Sequence, residues 1–163
     1  MRIGVLSDTH MTSPDLILEH ILEDILGADD MILHAGDIVS RNVLERLEKK
    51  NVVAVCGNMD DFEVAEVLPQ KRIVSLAGMR IGLIHGWGAK QGLQERLINR
   101  LESEKLDIIV YGHSHVPFWG EVNGIRMFNP GAVARNPNTG RGTVGRLEII
   151  DGRVEASLLH IDR

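Results

Sequence analysis

The chain opens with MRIGVLSDTH, Met1 to His10. Ile3 to Leu6 is a short apolar run of the kind buried on both faces of a parallel sheet. It stops abruptly at Ser7-Asp8-Thr9-His10, a polar segment holding a carboxylate and an imidazole. Just downstream, Leu18, Ile21, Leu22, Ile25 and Leu26 recur at helical spacing and predict a helix over Pro14–Leu26. Ser13 is the expected N-cap, Pro14 the first helical residue and Gly27 the C′ stop. The pattern then repeats. Met31–His34 reads as a second strand, Ser40 caps a helix over Arg41–Lys50 that buries Val43, Leu44 and Leu47, and Val52–Cys56 reads as a third strand. Strand, helix, strand, helix, strand implies right-handed parallel crossovers.

The second half mixes types. Arg72–Leu76 and Arg80–Ile84 flank Ala77-Gly78 as a hairpin, a helix is expected over Lys90–Leu101, and Asp107–Tyr111 is another apolar strand. Strands at Pro117–Val122, Gly124–Phe128, Thr143–Ile150 and Arg153–Leu159 follow, and Asn123-Gly124 and Asp151-Gly152 are two-residue hairpin turns. No repeat, low-complexity tract or linker divides the sequence, so residues 1–163 are expected to form one domain: a two-sheet α/β sandwich with helices outside.

With 163 residues, 44% of them hydrophobic and 25% charged, the composition is that of an ordinary globular protein and excludes disorder or a disulfide scaffold. Such a chain buries roughly two thirds of its unfolded surface. Aromatics are only 4%, so Ile, Leu and Val must build the core. No apolar run approaches a membrane span, and the N-terminal segment lacks a signal-peptide core, so the expectation is a cytoplasmic protein without a membrane partner. The lone Cys56 fits a reducing compartment. Eighteen basic against 23 acidic residues give a net charge of −5, which disfavours bulk nucleic-acid binding.

The polar residues that remain gather where strands end. Asp8 and His10 follow the first strand, Asp37 the second, Asn58 and Asp60 the third, His85 the second strand of the hairpin, and His113 and His115 the strand ending at Tyr111. Ligands collect outside the carboxyl ends of strands in open α/β sheets. Two aspartates brought together there repel unless a cation lies between them. Carboxylate, amide and imidazole donors suit Mn²⁺, Fe²⁺, Co²⁺, Ni²⁺ or Zn²⁺. Even with Asp60 set aside, seven such side chains exceed the needs of one ion, and two ions sharing a bridge can clamp the oxygens of a phosphoryl transfer.

These blocks, SDTH (Ser7–His10), HAGD (His34–Asp37), GNMD (Gly57–Asp60), IHG (Ile84–Gly86) and GHSH (Gly112–His115), resemble those of the calcineurin-like metallophosphoesterase superfamily. The likeness is greatest to its small prokaryotic phosphodiesterase branch, which includes the retromer vacuolar-sorting subunit. Asn129-Pro130-Gly131 is similar to a further family segment, with Ala132 in place of its serine. The resemblance spans almost the whole chain and implies an α/β/β/α sandwich with mixed sheets. It also implies two divalent ions per chain, manganese foremost, with nickel, iron, zinc or cobalt as alternatives. Asp8, His10 and His115 would hold the first ion, and Asn58, His85 and His113 the second. Asp37 would bridge them together with a water or hydroxide that attacks a small phosphoester substrate, making Asp37, Asn58 and His85 the residues closest to the chemistry. Where many members carry a proton-donating His after the Asn, this chain has Met59. That departure points to phosphodiesters, or esters with acidic leaving groups, rather than to a broad phosphomonoesterase.

Plainer roles compete for single residues. Asp-x-His or Gly-His-x-His alone can be a turn, Asp37 a neighbour of a helix cap, and Asn58 a left-handed turn residue. His34, on an apolar strand, reads as a core histidine, His20 and His160 as exposed, and Asp60 as a group orienting a ligand loop. Arg135 and Arg141, near the Asn129-Pro130-Gly131 loop, could touch substrate phosphate but read better as solvated, and Trp87 and Trp119 read as either packing or substrate-lining. For the whole chain, the rivals are a catalytically weak protein-binding scaffold like the retromer subunit, a phosphomonoesterase, and a mononuclear hydrolase that would leave part of the ligand set idle. Exposed edge strands in the C-terminal hairpins could support a homo-oligomer.

Overall fold

The computed structural model describes residues 1–134 and 139–161, so Arg135 lies outside the described residues. In chain order the first half forms β1 (Arg2–Leu6), α1 (Leu16–His20), β2 (Met31–His34), α2 (Arg41–Glu48), β3 (Val52–Ala54) and α3 (Phe62–Val67). The second half forms β4 (Lys71–Leu76), β5 (Met79–Ile84), α4 (Leu93–Leu101), β6 (Ile108–Tyr111), β7 (Phe118–Val122), β8 (Ile125–Asn129), β9 (Gly142–Ile150) and β10 (Arg153–Ile161). Two five-stranded sheets result, ordered β10-β9-β1-β2-β3 and β4-β5-β6-β8-β7. The centres β1-β2-β3 and β5-β6-β8 are parallel, and each sheet is extended by antiparallel neighbours. This is the mixed two-sheet sandwich expected.

Period-two alternation sorts each strand between two layers. Ile3 and Val5 of β1, Leu33 of β2, Ile81 and Leu83 of β5, Ile108 and Val110 of β6 and Phe128 of β8 meet between the sheets. Leu6, Ile32 and Ala54 face the other way, onto Leu18, Leu22, Val43, Leu47 and Val64 of the helices. On the far side Ile84, Ile109 and Met127 pack against Leu93, Leu97 and Leu101 of α4. Strands covered on both faces explain why their sequences are continuously apolar. The hairpin turns Ala77-Gly78, Asn123-Gly124 and Asp151-Gly152 all have positive φ at both central residues, as tight two-residue connections require.

Five local expectations are corrected. The first helix is capped by Asp15, not Ser13, its Oδ1 accepting from Leu18 N at 2.9 Å. A carboxylate there also meets the positive end of the helix dipole. The regular helix ends at His20, and Ile21–Ile25 widens into a π turn in which Leu26 N–H donates to Ile21 O at 2.9 Å. Gly27 is needed for a close approach rather than for a left-handed stop, since a Cβ there would lie 2.0 Å from the Glu23 carbonyl oxygen. Helix α3 was not expected, because six residues with an exposed Phe62 show no usable periodicity, although Asp61 caps it by accepting from Val64 N at 2.9 Å. Helix α4 begins later than Lys90 because Gly92 takes φ 68°. Asp15→Ala should cost about 1 kcal/mol of stability while Ser13→Ala should cost almost nothing, as read from urea denaturation. Among the described residues no helix is long and apolar enough to cross a membrane.

Candidate metal centre

The C-terminal ends of β1, β2, β3, β5 and β6 lie along one edge of the sandwich, and backbone hydrogen bonds stitch their exits together. Asp8 N–H donates to Gly36 O at 3.0 Å, His10 N–H to Asp37 O at 3.1 Å, and Gly112 N–H to His85 O at 3.1 Å. Five residues of this edge, Asp8, His10, Asp37, His113 and His115, have φ between 50° and 67°. Non-glycine residues seldom adopt that left-handed conformation, and it persists where the surroundings over-determine it, often at functional sites.

All seven sequence-predicted residues form one connected cluster. Asp8 Oδ1 lies 3.1 Å from His115 Nε2, 3.7 Å from His10 Nε2 and 3.9 Å from His85 Nε2. Asp37 Oδ2 lies 3.5 Å from His10 Nε2 and 3.3 Å from His85 Nε2. His10 and His115 face each other through Nε2 atoms 3.1 Å apart. The His85 and His113 rings stand edge-on at 5.4 Å, and His113 Nδ1 is 3.0 Å from Asn58 Oδ1. Within the cluster, donor atoms of Asp8, His10 and His115, and of Asp8, Asp37 and His85, each converge tightly enough for one ion. Asp8 thus touches both groups, whereas the sequence pointed to Asp37 alone between them.

The hydrogen bonds around the cluster leave acceptors aimed inward. Asp8 Oδ2 accepts from Ser7 Oγ at 2.6 Å and from His113 N at 3.1 Å, while its buried Oδ1 has no hydrogen-bond partner. His85 Nδ1–H donates to Ala35 O at 2.7 Å, and its buried Nε2 is likewise without a hydrogen-bond partner. Asp37 Oδ1 accepts from Met59 N at 2.8 Å, freeing Oδ2. His113 Nε2 sits 2.8 Å from Gly88 O, which assigns the proton to Nε2 and turns the Nδ1 lone pair towards Asn58. Buried lone pairs facing one another without a donor are costly unless a cation lies among them, so the donor set fits divalent ions.

Electrostatics agree. Burial disfavours the charged forms of Asp8 and Asp37, yet the surrounding histidines outweigh it and hold both carboxyls below their ordinary range. The Asp8 carboxylate facing its ring, with Asp37 behind it, raises the His10 pKa. For His85, burial lowers the pKa but Asp37 and Asp8 prevail and raise it. As pH falls, protons on His10 and His85 come to supply the positive charge that the carboxylates otherwise demand of a cation. A metal must displace them, so affinity should fall as pH drops through these raised values, by about tenfold per pH unit for each imidazole that sheds a proton. Competition with a fluorescent chelator across pH 6–9 measures this.

Of the residues that brace the cluster, the sequence assigned such a role to Asp60 alone. Asp60 was expected to orient a loop, and it does so by accepting from Val39 N and Gly57 N, both at 2.6 Å. Ser7 and Asn129 were not anticipated. Asn129 Nδ2 donates to Gly112 O and Ser114 Oγ, both at 3.0 Å, and its Oδ1 accepts from Gly131 N at 2.8 Å, tying β8 to the His113–His115 turn. His34 is wholly buried and lies 2.5 Å from Thr9 Oγ1 through Nε2, and burial pushes its pKa down to about 3, so it stays neutral. Burial pushes the Cys56 thiol up to about 11, leaving it unreactive. Trp119 packs edge-on against Phe128 at 5.8 Å, whereas Trp87 is 42% exposed and lines a cavity of about 210 Å³ next to Asn58 and His85.

Comparison with known proteins matches residues 1–152 to a family model described as the calcineurin-like phosphoesterase superfamily domain. A probable metallophosphoesterase of Methanocaldococcus jannaschii is 33% identical, over 99% of this chain and 82% of the relative. The structure of a novel archaeal phosphodiesterase superposes with a TM-score of 0.72 at 26% identity, covering 98% of this chain and all of the other. Vps29 of Entamoeba histolytica, solved with zinc, superposes with a TM-score of 0.71 at 23% identity over 99% of this chain and all of the other, a likeness of fold.

Proposed function

The chain belongs to the calcineurin-like phosphoesterase superfamily, and from that footing we propose that it is a phosphodiesterase working with two divalent cations at this edge of the sandwich. The observation that carries the proposal is the pair of buried, unpartnered acceptors, Asp8 Oδ1 and His85 Nε2, at the centre of the cluster. When bound, the cations supply positive charge to the phosphoryl oxygens and make a water acidic near neutral pH.

The chain's own residues do the rest. Asp8, His10 and His115 would hold one cation and Asn58, His85 and His113 the other, with Asp37 placed between the two ends of the cluster. Backbone groups set these side chains in advance: Ala35 O and Gly88 O fix the tautomers of His85 and His113, and Met59 N–H fixes one oxygen of Asp37. Such fixed dipoles need no reorganisation when charge develops on phosphorus oxygens. Met59 contributes only its backbone N–H, and its side chain, 56% exposed, cannot protonate a leaving alkoxide. That favours diesters with weakly basic leaving groups over alkyl monoesters. We also read residues 1–163 as one domain, and the unpaired Cys56 as favouring the cytoplasm.

A scaffold of the Vps29 type gains support from the shared fold alone and gives the seven-residue cluster no task. The purified protein should take up close to two Mn²⁺ per chain and cleave bis(4-nitrophenyl) phosphate at least tenfold more efficiently than an alkyl phosphate monoester. Chelation should abolish turnover. A preference for the monoester, or turnover that survives chelation, would overturn the reading.

A further inference from the structure

We propose that the cavity beside Asn58 and His85 receives a second anionic group of the substrate, and that the substrate class is a short nucleotide phosphodiester with a terminal phosphate. This rests on the phosphodiesterase reading above. The cavity shares Asn58 and His85 with the metal cluster and is completed by Gln70, Lys71, Trp87 and Arg100. At about 210 Å³ it is smaller than the roughly 300–1,000 Å³ of a site that encloses a whole drug-sized ligand, so it takes one end of the substrate.

The charge of the lining names that end. Among the described residues no carboxylate lines the cavity, although the chain carries 23 acidic residues against 18 basic ones. Lys71 Nζ donates to Glu104 Oε1 at 2.7 Å. The Arg100 side chain, exposed near the end of α4, makes no hydrogen bond or ion pair among the described residues. A free guanidinium offers a planar fork of donors matched to phosphate oxygens. Trp87 adds an aromatic platform to the wall. Trp87 sits on a loop that Arg96 of α4 straps down by donating to the carbonyls of Trp87, Ala89 and Gln91. A held, half-exposed indole stacks on a nucleobase at little entropic cost. Phosphorus at the cluster, a base on Trp87 and a second phosphate on Arg100 together describe a terminally phosphorylated dinucleotide. A long polymer fits poorly, because the cavity takes one end of the substrate and the protein is net negative.

The test uses the Mn²⁺-loaded full chain with three dinucleotides, one with a 5′-terminal phosphate, one with a 3′-terminal phosphate and one with neither, following diester cleavage by chromatography. One phosphorylated form should be cleaved with a kcat/KM about tenfold or more above the unphosphorylated one, the effect of one charge-assisted hydrogen-bonded pair. Arg100→Gln should bring that ratio close to one. Arg100→Lys, which keeps the charge but loses the fork, should give an intermediate ratio, and melting temperatures of both variants report their folding. Equal rates on all three dinucleotides, or a ratio that survives Arg100→Gln, would overturn the inference. Failure of the wild type to cleave bis(4-nitrophenyl) phosphate would instead overturn the phosphodiesterase reading beneath it.

Discussion

Asp37→Asn is expected to lower kcat for an aryl phosphodiester about a thousandfold and to drop the metal content below one ion per chain, while the protein stays folded. Asp37 Oδ2 lies 3.5 Å from His10 Nε2 and 3.3 Å from His85 Nε2, between the two ends of the cluster. The other oxygen is held by Met59 N–H. An asparagine of nearly the same shape keeps that hydrogen bond by placing its carbonyl oxygen there, which turns its NH₂ group into the cluster. A donor then stands where a cation needs a lone pair, and it can satisfy His85 Nε2, an atom otherwise without a partner. The metal-free variant should therefore melt close to the wild-type temperature, since satisfying an orphaned acceptor offsets the loss of the carboxylate's attraction to the histidines. The loss of rate is of the size found when a preorganised electrostatic group is removed. Elemental analysis, turnover and melting are the three measurements, and a variant that kept two metals and full turnover would defeat the assignment of Asp37.

The particular residues show why the sequence revealed as much as it did. Continuous apolar runs such as Ile3–Leu6 are legible because both faces of β1 are covered, and Asn123-Gly124 is legible because a tight hairpin demands positive φ twice. The π turn at Ile21–Ile25 has the same apolar spacing as an α-helix to within one residue, so periodicity cannot separate them. The seven cluster residues stood out because their side-chain chemistry is distinctive and each follows a strand. Their bracing did not. Nothing about the letters Ser7 or Asn129 announces that one steadies Asp8 and the other the His113–His115 turn, since serine and asparagine bond locally in many loops. The left-handed backbone at Asp8, His10, Asp37, His113 and His115 was equally hidden. It contradicts the ordinary preference of those residues, and local rules fail most readily where a site must be assembled.

That assembly is tested most severely by Gly57→Ala, which should reduce kcat/KM by about a hundredfold or more and cost roughly 1–3 kcal/mol of stability. A Cβ at Gly57 would lie 2.2 Å from Asp37 Oδ1 and 2.3 Å from the Asp37 backbone nitrogen. A flexible side chain could swing away, but the backbone nitrogen belongs to a segment already pinned by the His10 N–H to Asp37 O hydrogen bond. The β3 exit must therefore move as a unit by about 1 Å, carrying Asn58 and the Met59 N–H away from the cluster, and a displacement of that size is enough to cost catalysis heavily. Gly78→Ala supplies the contrast. Gly78 has φ 81° with no atom within 4 Å of an added Cβ, so only the backbone penalty of about 1–2 kcal/mol applies and turnover should be untouched. Two glycine-to-alanine changes with similar losses in stability should then differ by two orders of magnitude in activity. Equal activities would mean that the Asn58 loop need not approach Asp37 for the reaction, and the geometry proposed for the second cation would fall with it.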